Sequence, residues 1–172
     1  MLFRSNFYVP AGGDIPDPQT NEKFAHKLHF LAEMERFFSR RKSGKKDAVI
    51  LVGDLNVAPL ENDVWSHRQM RGIVSHTDVE RRLLGEALAA FDWVDSTRHF
   101  IPPEEKIYSW WSYRAQDFRK SARGLRLDHI LVSPGLREAA FRLGAPASRI
   151  HDDVRAWERP SDHAPVSADL LL

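Results

Sequence analysis

Gly53-Asp54-Leu55-Asn56 follows directly on the apolar run Ala48-Val49-Ile50-Leu51-Val52. A glycine there lets the chain turn sharply, and an acid and an amide two residues apart can leave a strand end on the same side. Asp54 is then suited to activate a water, and Asn56 to hydrogen-bond a phosphate oxygen. The same residues also suit a plain Asx turn. Ser161-Asp162-His163-Ala164-Pro165-Val166 sets a carboxylate beside an imidazole just ahead of a second apolar alternation. This pair can supply a metal ligand and a group that handles protons or stabilises charge; a surface histidine is the simpler alternative. In Arg126-Leu127-Asp128-His129-Ile130-Leu131-Val132, Asp128 lies among strand residues and needs a partner. His163 is one candidate, and an ion pair with Arg126 or another cation is the other.

Two further segments bear on binding. Tyr8-Val9-Pro10-Ala11-Gly12 can aim a phenol at an anion from a strand end, and Tyr108-Ser109-Trp110-Trp111-Ser112-Tyr113-Arg114 concentrates aromatics beside a cation. Paired Trp next to Arg suits a stacking surface, although Trp in a small domain also serves as core. Arg114, Arg119, Lys120, Arg123 and Arg126 form a local basic stretch, suited to phosphates or simply solvated.

The elements that must hold these groups are legible in the periodicity. Residues 2–9 alternate as a short strand, and 10–18 are too rich in Pro and Gly for a helix or central strand. Phe24, Leu28, Leu31 and Phe38 recur at helical spacing and predict a helix over about 21–41, leaving through the cations of 40–46 at Gly44. Residues 48–52 read as a strand buried on both faces. Thr77-Asp78-Val79-Glu80 is a capping box that opens a second helix carrying Leu83, Leu84, Ala87, Leu88 and Phe91. Strands follow at 127–133 and 166–170. Strands alternating with helices, without repeats or a low-complexity linker, indicate a single α/β unit.

The bulk composition excludes several classes. The chain has 172 residues, 42% hydrophobic and 28% charged, with a net charge of +1. That is ordinary for a folded soluble domain and too balanced for a globally basic nucleic-acid binder. The lack of cysteine removes disulfides, thiolate metal sites and thiol nucleophiles. No signal-like or bilayer-spanning apolar run is evident, so no membrane partner is expected and the default location is the cytoplasm.

Taken in order, the five motifs resemble those of the endonuclease/exonuclease/phosphatase superfamily. Tyr108-Ser109-Trp110-Trp111 and Gly124-Leu125-Arg126-Leu127-Asp128 are similar to its exonuclease III and abasic-site endonuclease branch. The resemblance implies an α/β fold, the carboxyl-terminal part of a DNase I-like two-sheet sandwich with flanking helices. It also implies metal-dependent hydrolysis of duplex DNA, with Mg²⁺ or Mn²⁺, by abasic-site incision and 3′-to-5′ exonuclease action in base-excision repair.

By the same resemblance, Tyr8 contacts the scissile phosphate, Asp54 orients or deprotonates the water, and Asn56 bonds the phosphate. His163, oriented by Asp128, stabilises the developing charge. Asp162 belongs to the metal shell, with Asp54 and Asn56 beside it. Trp110, Leu125 and Leu127 line the pocket for the flipped sugar, and Arg114 and Arg126 face the substrate. Ala11 stands where the family often has Asn. The Asn and the principal metal-binding Glu of the family's amino-terminal half have no counterpart in the seven residues before Tyr8. Residues 1–172 are therefore expected to form a single domain without that half, with an apolar sheet face left open to self-association. A non-catalytic DNA-binding remnant and a superfamily phosphatase are the alternative readings.

Overall fold

A computed structural model describes residues 2–41, 47–114 and 117–172. In chain order the elements are β1 (Leu2–Asn6), α1 (Glu22–Ser39), β2 (Ala48–Asp54), α2 (His67–Met70), α3 (Asp78–Ala89), β3 (Val94–Asp95), α4 (Ser96–Phe100), β4 (Trp110–Trp111) and α5 (Phe118–Ser121). β5 (Gly124–Leu125), β6 (Asp128–Val132), α6 (Arg137–Phe141), β7 (Ser148–Ile150) and β8 (Val166–Ala168) complete them. The expected exit of the first helix through Gly44 lies outside the described residues.

Four strands form the main sheet in the order β1-β2-β6-β3. β1 runs parallel to β2, and β6 is antiparallel to both β2 and β3. The helices form for local reasons. The Asn21 side chain accepts hydrogen bonds from the backbone N–H groups of Lys23 and Phe24 and so opens α1. The capping box at α3 closes both ways, with Thr77 accepting from the Glu80 N–H and Glu80 accepting from the Thr77 N–H. The two helices lie side by side, and Leu31, Phe38, Leu84 and Phe91 meet Leu51 and Leu131 of the sheet in one core. Each such side chain contributes about 1.5–3 kcal/mol by leaving water.

The opposite sheet face packs Ile50 and Val132 against Leu136 and Ala140 beside α6. Half-buried Val52 and Ile130 line an open cleft of about 500 Å³ with Val154, Pro165 and Val166. The face expected to be open is therefore covered in part. Its cover includes the antiparallel pair β7-β8, whose first strand no periodicity announced and whose second ends at Ala168, short of the expected 170.

The first strand also ends earlier than expected, at Asn6. Backbone pairing continues past it, from Phe7 N–H to Val52 O (2.9 Å) and from Val9 N–H to Asp54 O (3.0 Å). Gly53 permits this approach. It sits at φ 141°, and a Cβ there would come within 1.9 Å of the Phe7 carbonyl oxygen.

Arg126 does not face substrate. It is 1% exposed. Its Nε and Nη2 donate to both Asp63 oxygens (2.8 and 3.0 Å), and Nη1 donates to Asp95 at 2.6 Å. Arg98 adds a bond of 2.6 Å to Asp63. The carboxylates come from two other segments, so the guanidinium fastens the β5–β6 connection to them. Three of its N–H groups are spent on these carboxylates, and its burial keeps the rest from any ligand. This also removes Arg126 as the partner of Asp128.

Candidate active site

The ends of β2 and β6 create the centre. Their antiparallel register sets Asp54 directly opposite Asp128. His163, carried by the segment before β8, closes the group: its Nδ1–H donates to Asp128 Oδ2 at 2.8 Å, and its Nε2 lies 3.9 Å from Asp54 Oδ2. A backbone bridge between Trp110 and His163 holds that segment against β4. The hydrogen bond that His163 donates to Asp128 raises the imidazole above its ordinary value, against the effect of burial, and so favours its charged form. Burial pushes the Asp54 carboxyl up, and facing Asp128 adds to this, while the hydrogen bond from the Asn56 backbone opposes it. A more basic Asp54 is better suited to accept a proton from water.

Asn56 adopts the left-handed region at φ 51°, which asparagine tolerates better than most residues. Its N–H and its side-chain Nδ2 both donate to Asp54, at 2.9 and 3.0 Å, and Nδ2 also donates to Val9 O at 2.9 Å. Both amide hydrogens are thus engaged, which corrects the expectation that Asn56 donates to phosphate. The group it can offer is the acceptor Oδ1, which suits a water or a cation.

A pocket of about 410 Å³ opens over these groups. Trp110, Leu125 and Leu127 line it, with Met70, Ile73 and Val74 forming an apolar wall that no motif signalled. The Trp110 indole N–H donates to Asp162 Oδ2 at 2.9 Å and aims that carboxylate into the pocket. Tyr8 stands at the rim, 67% exposed. Arg114 is exposed and does not line this pocket, whereas Trp111 is core. Arg123 lies 4.8 Å over the Trp65 ring.

Sequence reading missed the support beneath the site. Lys27 and Glu80 are fully buried, with Nζ and Oε1 2.6 Å apart. Lys27 Nζ also donates to Asn56 O (2.7 Å) and Ala11 O (3.2 Å), and Glu80 accepts from Ser75 N–H at 2.9 Å. One ion pair thereby joins three loops around the pocket. The only signal in the sequence was a lysine on the otherwise apolar face of α1.

Asp54, Asn56 and Asp162 offer hard oxygen donors of the type a Mg²⁺-like cation takes. They fit such an ion in type but not in number: among the described residues, no group of three His, Asp or Glu side chains could hold a metal. No helix among these residues is long and apolar enough to cross a membrane.

The sequence profile of the Endonuclease/Exonuclease/phosphatase family matches residues 4–163. The chain is 32% identical over 175 residues to exodeoxyribonuclease III of Haemophilus influenzae, a match that covers 98% of this chain and 61% of that protein. It is 40% identical over 123 residues to an exodeoxyribonuclease of Bacillus subtilis, covering 71% of this chain and 44% of that one. Among solved structures it resembles an AP endonuclease from Archaeoglobus fulgidus (TM-score 0.84, 30% identity, 97% of this chain and 60% of that one). It also resembles a Neisseria 3′ phosphatase bound to a product DNA hairpin (TM-score 0.75, 32% identity, 96% and 59%). The chain thus spans 61% or less of the length of each of these relatives. With its motifs in this order and its strand ends converging as described, the chain belongs to the endonuclease/exonuclease/phosphatase family, in the branch of exodeoxyribonuclease III and the abasic-site endonucleases.

Proposed function

We propose that the site hydrolyses phosphodiester bonds in duplex DNA, by incision at abasic sites and by 3′-to-5′ exonuclease action, as part of base-excision repair. The observation that carries this reading is the convergence of Asp54 and His163 on a half-apolar pocket, with Asp128 bonded to the imidazole outside its lining. Asp54 takes a proton from a water that attacks the phosphorus, and the bond from phosphorus to the leaving oxygen breaks. His163, kept charged by Asp128, stabilises the negative charge on the phosphoryl oxygens. Tyr8 contacts the phosphate from the rim, and Arg114 meets the flanking backbone. Trp110, Leu125 and Leu127 accept the sugar of an extruded abasic nucleotide, which an intact base would fill badly. Asn56 accepts a hydrogen bond from the water instead of donating to phosphate. The activity is expected to need Mg²⁺ or Mn²⁺, for which Asp162 and Asp54 are the carboxylates on offer.

A duplex carrying one abasic site, incubated with Mg²⁺ and with chelator, tests the proposal. The expected result is metal-dependent incision that falls at least about a hundredfold in Asp54→Asn and in His163→Ala, the scale of losing a positioned acid–base group. Duplex that is bound but never cut would leave a non-catalytic DNA-binding protein. A second reading, removal of a terminal 3′ phosphate, is favoured by the name of the Neisseria relative. It predicts release of phosphate from a 3′-phosphorylated nick without incision of the abasic strand.

A further inference from the structure

A second groove, of about 770 Å³, lies between the α5 segment and the 155–160 turn and is separate from the pocket over Asp54. Its aromatic walls are unusually open: Tyr113 is 63% exposed and Trp157 is 65% exposed. Nothing in the proposed hydrolysis uses either ring. Burial normally takes most of an aromatic's apolar area, so the largely uncovered Trp157 ring in this concave surface, beside a Tyr113 ring that Arg155 faces from one side, indicates that something else covers it.

The polar lining is cationic. Arg119 and Lys120 border the groove, and Arg155 lies at its base. Asp117, the acid of the lining, offsets Lys120 at 3.8 Å and accepts from the N–H groups of Arg119 and Lys120, so Arg119 and Arg155 leave an excess of positive charge. Arg155 is 93% buried by its 7% exposure, with its guanidinium 5.4 Å over both Tyr113 and Phe118. Its Nη1 donates to Ser161 O at 2.7 Å, whereas its buried Nε has no hydrogen-bond partner among the described residues. The groove is also continuous with the catalytic segment. Tyr113 OH donates to Pro160 O at 3.0 Å, Pro160 leads straight into Ser161-Asp162-His163, and Trp111 packs edge-on against Phe118 at 5.3 Å.

From these observations we propose that the groove binds an unpaired nucleotide of DNA next to the site of hydrolysis, its base stacked on Trp157 or Tyr113 and its phosphate facing Arg119. Bare aromatic faces beside cations are what single strands require, because every base offers a π-face and every linkage a negative charge. Paired bases have those faces covered by their neighbours, so intact duplex does not engage the rings. This deepens the nuclease reading and rests on it, since the groove matters only if DNA occupies the adjoining site.

The test compares binding by the protein to a blunt hairpin duplex, the same duplex with a short single-stranded 3′ extension, and a labelled oligothymidylate, all by fluorescence anisotropy in chelator. The expected result is a preference of about tenfold for the tailed over the blunt duplex, the scale of one stacked base. Trp157→Ala should collapse that preference and weaken oligothymidylate to match, while Trp157→Phe retains most of it. Because Trp157 is mostly exposed, these variants should fold, and a far-ultraviolet circular dichroism spectrum like that of the unaltered protein checks it. Equal affinity for tailed and blunt duplex, or a preference that survives Trp157→Ala, overturns the groove and leaves the nuclease reading intact. A preference that depends on Trp157 in a protein that never cuts abasic duplex sinks the nuclease reading and keeps the groove. Failure to bind any of the three DNAs removes both.

Discussion

Replacing Lys27 by Met keeps the stem of the side chain and deletes one buried charge. In the native fold both Lys27 and Glu80 have no exposed side-chain surface and sit 2.6 Å apart. Without Lys27, Glu80 keeps the Ser75 N–H, the Thr77 N–H and the Thr77 hydroxyl as donors, but no cation. On the other side of the pair, the carbonyls of Asn56 and Ala11 lose their ammonium donor. Breaking a buried pair from one side costs about 3–5 kcal/mol, a large share of the roughly 5–15 kcal/mol that holds a domain together. Removing both charges is cheaper than removing one, so Lys27→Met/Glu80→Gln should regain about 2 kcal/mol or more of the single variant's loss. Urea unfolding at constant m measures both. Since neither group touches solvent, the loss should be nearly the same at low and high salt. A loss below about 1 kcal/mol in Lys27→Met, or a double variant that loses the sum of the two singles, would refute the idea that this pair fastens the loops around the site.

Two other outcomes follow from the charge arrangement. Burial works to raise the Asp63 carboxyl, but the Arg126 and Arg98 guanidiniums overcome it and hold the group below its ordinary 3.8. The resulting stability is fully present above that value and is lost as pH falls through the depressed one. Thermal unfolding should therefore drop steeply below about pH 4, and Asp63→Asn should be less stable throughout and show a shallower acid limb; an unchanged limb would remove Asp63 from the account. At the active site, Asp128→Asn removes the main influence that raises His163. Incision should fall by about 10–100-fold, the worth of a charge-assisted hydrogen bond. The alkaline limb of its pH–rate profile should move to lower pH, because the imidazole then loses its proton earlier; a limb that stays in place would show that His163 does not act as the cation.

The sequence alone determined the parts of this protein whose causes are local. Helical spacing from Phe24 to Phe38 and the Thr77–Glu80 capping box set α1 and α3, which the structure ends within two residues of the expected bounds. The apolar run before Asp54 and the strand-forming run around Asp128 set β2 and β6, and the ordered motifs pointed to the family. Only tertiary structure decided which polar groups meet. Arg126 has the same charge as Arg114, and the resemblance implied that both face the substrate. Folding spends Arg126 on Asp63, 63 residues away, and leaves Arg114 exposed. Trp110 finds Asp162 across 52 residues, and Lys27 lies under Asn56 across 29. Strands of two or three residues, such as β3, β4 and β7, carry no period of their own and exist because a strand distant in sequence, β6, β5 or β8, meets them edge to edge. Periodicity records which side of an element turns inward, whereas the partner of a buried charge is fixed by how the elements pack, and it is this packing that turned a set of motifs into a site.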